Sequence, residues 1–557
     1  MKKKIQKLLG VVFITALFFG CSNPNKEPEN NPDNSSKLKW LVLMYMDGDN
    51  NLNDVLYLDL NEAERGLFEN PDKDVENNLK VVALWDGWNF NGVENDNELS
   101  LFETTPELQD YNVHNLEKTR LLELGADSET LKANGEGSYK SFELSSATKD
   151  LTDTVAWIKD NEVNMGSEAT LENFLKWAAE NYSAENIILQ FSNHGGGPRS
   201  AKNNNRRRSM CWDETSGGKS FIKTSDVSKA LKAAGYGTDK KVKMIMEDVC
   251  LGGSIEEAYE LRNYAEYYVG SPNNIPGLGF NYISFISSLT SNTDIETVGK
   301  KLIASYKNFY QMTEDDWTEI LADEDYASLK DLDDLYKSLY FAGSTLSFVD
   351  LSKIEAVKDA VNDFSSFILT NGTIADNRIK RDSDGKWYDT KNTNTTIPEN
   401  AEFVTKLEAV KYWTAFYNEP IYYQGSFGNL KDSGFMMAIL DSIYDDDSWT
   451  GLNAKTAAVR NALNEAIIAC WRDGYNEKPT YYKNSLDSTA SYLGSNYGLG
   501  LTINCAVWVP FTQDGKDYIT TGFANWYKNE LAFGKDCSNW TTLIQTWFPY
   551  TGSQTSN

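Results

Sequence analysis

Histidine is almost absent from this chain: its 557 residues include two, His114 and His194. Zinc sites built on three or more histidines are therefore excluded, and any imidazole chemistry has two candidates. Positive charge is short as well, with 53 Lys and Arg against 81 Asp and Glu and a formal net charge of −28. Phosphate binding needs a basic face, so nucleic acid is set aside as a partner. An acidic surface suits an exported protein and concentrates cationic substrates. The N-terminus also lacks the apolar length for a membrane span. Its 13-residue run Leu8 to Gly20, broken only by Thr15, falls short of the ~20 residues that a bilayer-crossing helix needs.

Behind Lys2, Lys3, Lys4 and Lys7, that run reads instead as a signal peptide over residues 1–20. It ends in Phe18-Phe19-Gly20-Cys21. A cysteine directly after a small residue resembles the bacterial lipobox, in which the thiol is acylated and becomes the new N-terminus. Phe18 stands where that pattern has an aliphatic residue. The expectation is a cell-envelope protein held to a membrane by a lipid on Cys21, at the bacterial outer membrane or cell surface. Ser22 to Ser36 holds only Ser, Asn, Pro, Lys, Glu and Asp. It has nothing apolar to bury, so residues 21–37 are expected to form a disordered tether. Without Cys21 the cysteines are Cys211, Cys250, Cys470, Cys505 and Cys537. An odd number in an exported chain leaves at least one thiol unpaired within the chain. Outside the cytosol such a thiol risks oxidation, so one retained there has a reason to be retained.

The rest of the chain is too long for one ordinary core. From 38 to 290 strand-like and helix-like patterns alternate. Leu41 to Tyr45, Leu79 to Leu84, Ile187 to Leu189, Val242 to Met246 and Tyr267 to Val269 are short apolar runs of buried-strand type. Thr170 to Asn181 carries apolar residues at helical spacing behind Ser167, a candidate cap. Ser254-Ile255-Glu256-Glu257 has the form of a capping box and starts another helix. This alternation predicts an α/β fold, a mainly parallel sheet flanked by helices. Residues 291–557 are expected to form an additional C-terminal α+β region. Its helices are placed at Lys300 to Tyr310, Ser352 to Leu369 and Thr456 to Trp471, a loop at Asp382 to Asn400, and strands within Gly498 to Val509.

Two apolar strands end in reactive residues. The first is Ile187-Ile188-Leu189-Gln190-Phe191-Ser192-Asn193-His194-Gly195-Gly196-Gly197, the second Val242-Lys243-Met244-Ile245-Met246-Glu247-Asp248-Val249-Cys250-Leu251-Gly252-Gly253. Ligands of an open parallel sheet bind beyond the carboxyl ends of its strands, so His194 and Cys250 share a rim if the two strands are neighbours. A free thiol, with a pKa near ~8.5, is mostly protonated at neutral pH, and a nearby imidazole converts it to thiolate. The amides of Gly195 and Cys250 are the candidates for an oxyanion hole. Taken singly, a strand-end cysteine is usually a small buried hydrophobe and a lone histidine a satisfied polar residue. Their paired context separates them from that background. His114, in Tyr111-Asn112-Val113-His114-Asn115, lacks it.

Together the two blocks resemble the cysteine peptidase clan of caspases, gingipains and legumain, and more closely the clostripain-like cysteine peptidases. The matching segments are Tyr45-Met46-Asp47-Gly48-Asp49-Asn50-Asn51-Leu52, Asn164-Met165-Gly166-Ser167, Asn193-His194-Gly195-Gly196-Gly197 and Cys211-Trp212-Asp213-Glu214-Thr215-Ser216. Asp248-Val249-Cys250, Ala258-Tyr259-Glu260-Leu261-Arg262 and Pro276-Gly277-x-Gly279-Phe280 complete the series. The family usually has an acidic residue or tryptophan where this chain has Asn193. The resemblance implies a caspase-like fold, and protein or peptide substrates cut after arginine, with lysine second. Asp248, two positions before Cys250, points to the same side of its strand and is the candidate base of an arginine pocket, where a carboxylate pairs bidentately with a guanidinium. Asp213 and Glu214 are weaker candidates. The resemblance also implies a self-inflicted cut between the histidine and the cysteine. Arg206-Arg207-Arg208, within a polar basic loop, is the candidate site.

No cofactor is required by this chemistry, although some members of that family depend on calcium. Asp47-Gly48-Asp49-Asn50-Asn51 and Asp445-Asp446-Asp447 supply hard oxygen ligands, but Leu52 stands where a calcium loop of the EF-hand type has its turn glycine. Metal binding is left undecided by the sequence. The competing reading from another class is a non-catalytic surface lipoprotein that uses its 15 Trp and 30 Tyr to bind glycans or proteins. The leader reading has a direct check in mass spectrometry of the mature N-terminal peptide. It should begin at an acylated Cys21, and an unmodified Cys21 or a start further downstream would rule out the lipid anchor.

Overall fold

The computed structural model describes residues 37–88, 118–127, 144–196, 210–213, 220–272, 275–310, 345–371, 379–381, 387–389, 392–396, 433–435, 451–472, 500–504 and 524–543. In chain order the first strands are β1 (Leu38–Gly48), β2 (Leu79–Gly87), β3 (Arg120–Glu123), β4 (Lys149–Asp150) and β5 (Ala184–Ser192). A hairpin of β6 (Met210–Asp213) and β7 (Ser220–Ile222) follows, then β8 (Val242–Asp248), β9 (Ala265–Gly270), β10 (Thr345–Asp350) and β11 (Ile467–Arg472). All but the hairpin join one nine-stranded sheet in the order β11-β10-β9-β8-β5-β1-β2-β3-β4. The five strands β9-β8-β5-β1-β2 run parallel, and the edges on both sides are antiparallel.

Side-chain alternation along these strands sends apolar groups to both faces, which is why they read as near-continuous apolar runs. In β1, Trp40, Val42, Met44 and Met46 join one core while Leu41, Leu43 and Tyr45 join the other. The first core is covered by α1 (Asn53–Glu69), α5 (Tyr282–Ser287) and α6 (Ile295–Tyr310). The second is covered by α2 (Glu168–Asn181), α3 (Thr224–Ala233), α4 (Ile255–Leu261), α7 (Ile354–Asn371) and α8 (Leu452–Ala466). Helix α1 buries Leu56, Leu60, Ala63 and Leu67, an i, i+4, i+7, i+11 stripe that holds it on the sheet. Both predicted caps are formed: Ser167 Oγ accepts the Ala169 amide at 3.2 Å, and Ser254 Oγ accepts the Glu257 amide at 3.1 Å.

Three expectations for the C-terminal region need revision. The sheet does not stop at residue 290, because β10 and β11 from beyond it extend the same sheet past β9. The segment read as helical from Thr456 to Trp471 changes at Ile467 into β11, where Ile467, Ala469, Cys470 and Trp471 pair with β10. Asp382 to Asn400, expected as a loop, contains short strands at Trp387–Asp389 and Asn392–Thr396. Their polar composition hid any strand pattern.

Helix α6 approaches the sheet through Gly299, where a Cβ would lie 2.4 Å from the ring of Phe348, itself fully buried. Overpacking of this kind costs about 1–3 kcal/mol, against the ~1 kcal/mol that alanine gains over glycine in a helix. Gly299→Ala should therefore lower the urea midpoint. Gly237→Ala, with nothing within 4 Å of the added carbon, should not. Equal midpoints for wild type and Gly299→Ala would show that the helix sits further from the sheet.

Candidate active site

Strands β5 and β8 are hydrogen-bonded neighbours whose last paired residues are Ser192 and Asp248. Two positions further along each chain stand His194 and Cys250. The pairing that follows from two buried apolar runs thus puts imidazole and thiol at equivalent places on one rim. The junction is tight: a Cβ on Gly195 would lie 2.1 Å from the Cys250 carbonyl oxygen and 2.8 Å from its amide nitrogen. Only glycine lets the histidine strand pass the cysteine this closely. Leu251, immediately after the thiol, has φ +63° and turns the chain away from the sheet. A non-glycine residue there is held at a cost of about 1–3 kcal/mol.

Cys250 is half-buried and its Sγ lies 3.8 Å from the Ile275 carbonyl oxygen. Burial, with the Asp248 carboxyl adding to it, pushes this thiol up to about 11. A proton acceptor is needed to make it a nucleophile. His194 Nε2 is 2.7 Å from Asn51 Oδ1. An amide oxygen only accepts, so Nε2 carries the proton and the lone pair of the neutral ring is on Nδ1. The imidazole also stacks on Trp212, with centroids 4.8 Å apart and planes at 24°.

Asn193 locks these supports together. Its Nδ2 donates to the Asp47 carbonyl, and its Oδ1 accepts the His194 amide as well as the Trp212 amide at 3.0 Å. Asn50 Nδ2 donates to the Trp212 carbonyl at 2.9 Å. The departure at Asn193 from the resembling family's pattern is therefore a brace between the end of β1, the histidine turn and β6. Asn51 and Trp212 escaped the sequence reading as histidine partners. The segments containing them were visible, but their meeting is tertiary.

Asp248 lies on the same face of β8 as Met244 and Met246 and is buried. Its Oδ2 accepts the Phe280 amide and the Tyr282 hydroxyl, both at 2.9 Å. The Tyr282 oxygen in turn accepts from Gln190 Nε2 at 2.7 Å and lies 3.1 Å from Ser192 Oγ. Gly279, with φ +61°, lets the Pro276–Phe280 turn close on the carboxyl, since a Cβ there would be 2.5 Å from Oδ2. Burial pushes Asp248 up to about 7. Burial also raises the nearby Asp59 and Glu62, and the Asp248 charge adds to both.

The C-terminal region braces the other side of Cys250. The Thr502 amide donates to the Gly253 carbonyl at 2.9 Å, and the Tyr527 hydroxyl donates to Glu256 Oε1 at 2.7 Å. The Ala532 amide donates to Glu260 Oε2 at 2.9 Å. All three bonds hold α4 or the turn leading into it from Cys250.

Asp213 is buried and its Oδ2 accepts the Met165 amide at 2.8 Å. It belongs to a group with Asp49, Asp86 and Glu162, in which one oxygen of each lies within 4.8 Å of the others. Of the run Asp47–Asn51, only Asp49 enters this group. An all-carboxylate set fits a hard divalent cation. Cys21, His114, Arg206, Arg207, Arg208, Glu214 and Asp445 to Asp447 lie outside the described residues. Among the described residues no helix is long and apolar enough to cross a membrane.

Comparison with known proteins agrees with this geometry. The Clostripain family model matches residues 44–468, most of the chain. Clostripain of Hathewaya histolytica is 26% identical over 398 residues, 66% of this chain and 66% of that protein, so the chain spans just under two thirds of this curated relative's length. The solved structure of a secreted C11 cysteine protease from Bacteroides thetaiotaomicron, in complex with an irreversible peptide inhibitor, covers 90% of this chain and 99% of its own. It superposes with a TM-score of 0.50 at 14% identity, a likeness of fold. The strand order, the paired strand ends and the matched span lead to one assignment: this chain belongs to the clostripain family of cysteine peptidases, with a caspase-like fold.

Proposed function

We propose that the chain is a cysteine endopeptidase that cleaves after arginine, then lysine, with Cys250 as nucleophile and His194 as its acid/base partner. The observation that carries this reading is the placement of His194 and Cys250 two residues beyond the Ser192–Asp248 pair, with Gly195 pressed against the Cys250 backbone. The substrate's guanidinium is drawn to Asp248, and the scissile carbonyl comes to rest over the rim. The Sγ proton passes to Nδ1 of His194 as Sγ bonds to the carbonyl carbon, and the carbonyl π pair moves to oxygen. The amides of Gly195 and Cys250 receive that oxyanion. His194 returns its proton to the leaving amine as the C–N bond breaks, leaving an acyl-enzyme. Water, deprotonated by the same imidazole, then releases the acid and restores the thiol. Asn51 and Trp212 keep Nδ1 turned to this task by holding the opposite nitrogen and the ring plane.

The same reading extends to the chain's own processing and location. Arg206-Arg207-Arg208 falls between the two reacting residues in sequence and offers the preferred side chain three times over. The leader places the enzyme outside the cytoplasm, tethered at Cys21.

Cys250→Ala and His194→Ala should each lower kcat/KM for arginyl peptides at least ~10³-fold while leaving the urea midpoint unchanged, whereas His114→Ala should be near neutral. Near-wild-type turnover in Cys250→Ala would remove it as nucleophile.

Asp248→Asn should cost arginyl substrates about 2–4 kcal/mol of transition-state binding. The raised carboxyl is neutral below about 7 and ionised above it, and only the ionised form pairs with a guanidinium. Binding of a simple guanidinium competitor should therefore tighten as pH rises through that value in wild type and stay flat in Asp248→Asn. A substrate profile favouring aspartate would contradict the assignment.

On a denaturing gel, purified wild type should show two fragments meeting at Arg206 to Arg208, most readily before Ser209, and Cys250→Ala should stay intact. Equal nicking of both would indicate a foreign protease.

A further inference from the structure

A carboxylic acid lies directly beneath the turn that carries Cys250, and the reaction steps above make no use of it. Glu247 precedes Asp248 in β8, so its side chain leaves the opposite face of the sheet, the face of Ile245. It is fully buried. Its carboxyl packs under the chain leaving Cys250: a Cβ on Gly252 would lie 2.5 Å from Glu247 Oε2. The elements around it bring up Tyr268 from β9, Glu257 from α4 and Cys211 from β6, none of them a cation. Its neighbour across β5 is the apolar Phe191.

Counting protons fixes the state of this carboxyl. The Tyr268 hydroxyl oxygen is 2.6 Å from Glu247 Oε2 and 2.6 Å from the Gly252 carbonyl oxygen. The hydroxyl has one proton, and a carbonyl oxygen only accepts. With Tyr268 donating to Gly252, the second contact is a hydrogen bond only when Glu247 holds a proton and donates it to the tyrosine oxygen. Were the carboxyl ionised, one of the two would be a bare approach of oxygen to oxygen. The other oxygen agrees. Glu247 Oε1 is buried without a hydrogen-bond partner among the described residues, which costs a neutral acid far less than an anion. Burial pushes Glu247 up to about 8, and it raises Glu257 as well, with the Glu247 charge adding to that second rise.

We propose that Glu247 is a positioning residue that acts as a neutral acid: by donating to Tyr268 it directs the tyrosine proton onto the Gly252 carbonyl and so holds Cys250, two residues earlier, in place for attack. The same carbonyl accepts the Ser254 amide at 2.8 Å, and Leu251, between it and the thiol, is the residue held at φ +63°. Once ionised, Glu247 takes the Tyr268 hydrogen bond for itself. The Gly252 carbonyl then loses a donor, and the strained turn at Leu251 is free to relax. The effect on cleavage rests on the role proposed above for Cys250; the neutral carboxyl and its bonds do not.

Stability against pH reads the carboxyl without peptidase activity, in the full-length Cys250→Ala chain. An unfolded glutamate titrates near ~4.3, so the folded state holds the extra proton from there up to about 8. The stability that Glu247 contributes therefore falls as pH rises through that window. Glutamine cannot titrate. Adding Glu247→Gln should give a midpoint that climbs relative to Cys250→Ala alone from about pH 5 to about pH 8 and then levels off. In the active chain Glu247→Ala should lower kcat for an arginyl peptide at least ~10-fold with KM little changed. Glu247→Gln, whose amide donates to Tyr268 as the acid does, should recover most of that loss and move the alkaline fall of kcat to higher pH. Tyr268→Phe should lower kcat as Glu247→Ala does, which keeps the test open if the alanine variant fails to fold. A midpoint difference that does not change with pH would overturn the proposal. So would a Glu247→Gln chain that is as inactive as Glu247→Ala or does not fold. A changing midpoint difference beside unmoved kcat profiles would overturn the link to Cys250. Turnover in the Cys250→Ala chain would instead overturn the nucleophile and leave the stability result standing.

Discussion

Everything at this site depends on the parallel pairing of β5 with β8. Two strands buried on both faces have little choice of register, because a one-residue slip would exchange their core-facing sets. Once Ile188 is paired with Met244 and Ser192 with Asp248, the residues beyond the ends are placed without further adjustment. His194 and Cys250 then stand side by side, and Gly195 is required by the distance between the two chains. The backbones that carry the thiol and the imidazole are placed by strand hydrogen bonds and core burial.

Around that rim the polar groups are mutually assigned, most of them buried, with His194 half-buried and Asn51 exposed. Asp248 is held by Phe280 and Tyr282, Asn193 ties β1 to β6, and Asn51 and Trp212 hold the imidazole. Burial raises both Cys250 and Asp248, so the resting site is closer to neutral than its residue types imply. Such an arrangement keeps the thiol protonated until an acceptor takes its proton, and it keeps the Asp248 carboxyl close to neutrality in the resting state. The contacts from Thr502, Tyr527 and Ala532 give the C-terminal region a share in this, because they fix the turn and helix after Cys250.

The two strand-to-turn blocks were legible in sequence because each is an apolar run that ends abruptly in polar residues and glycine. The caps at Ser167 and Ser254 were legible for a similar reason, since a cap needs only local neighbours. What escaped was decided at long range. Ile467 to Trp471 continues a helical pattern, yet pairing with β10 turns it into a strand. The boundary expected near 290 followed a change in composition, whereas the sheet continues with strands from residues 345–350 and 467–472. The carboxylate group was hidden because Asp49, Asp86, Glu162 and Asp213 share no local motif. Asp49 alone lies in an acidic run that drew notice, and that run fails the loop template at Leu52.

The central claim is that β5 and β8 deliver an arginine-directed nucleophile at Cys250. The most direct measurement is reaction of the wild-type enzyme with an arginyl chloromethyl ketone peptide, followed by peptide mapping. A single adduct on Cys250, formed with loss of activity and suppressed in His194→Ala, is the predicted result. An adduct on Cys211, Cys470 or Cys537, or inactivation with Cys250 unmodified, would contradict the account.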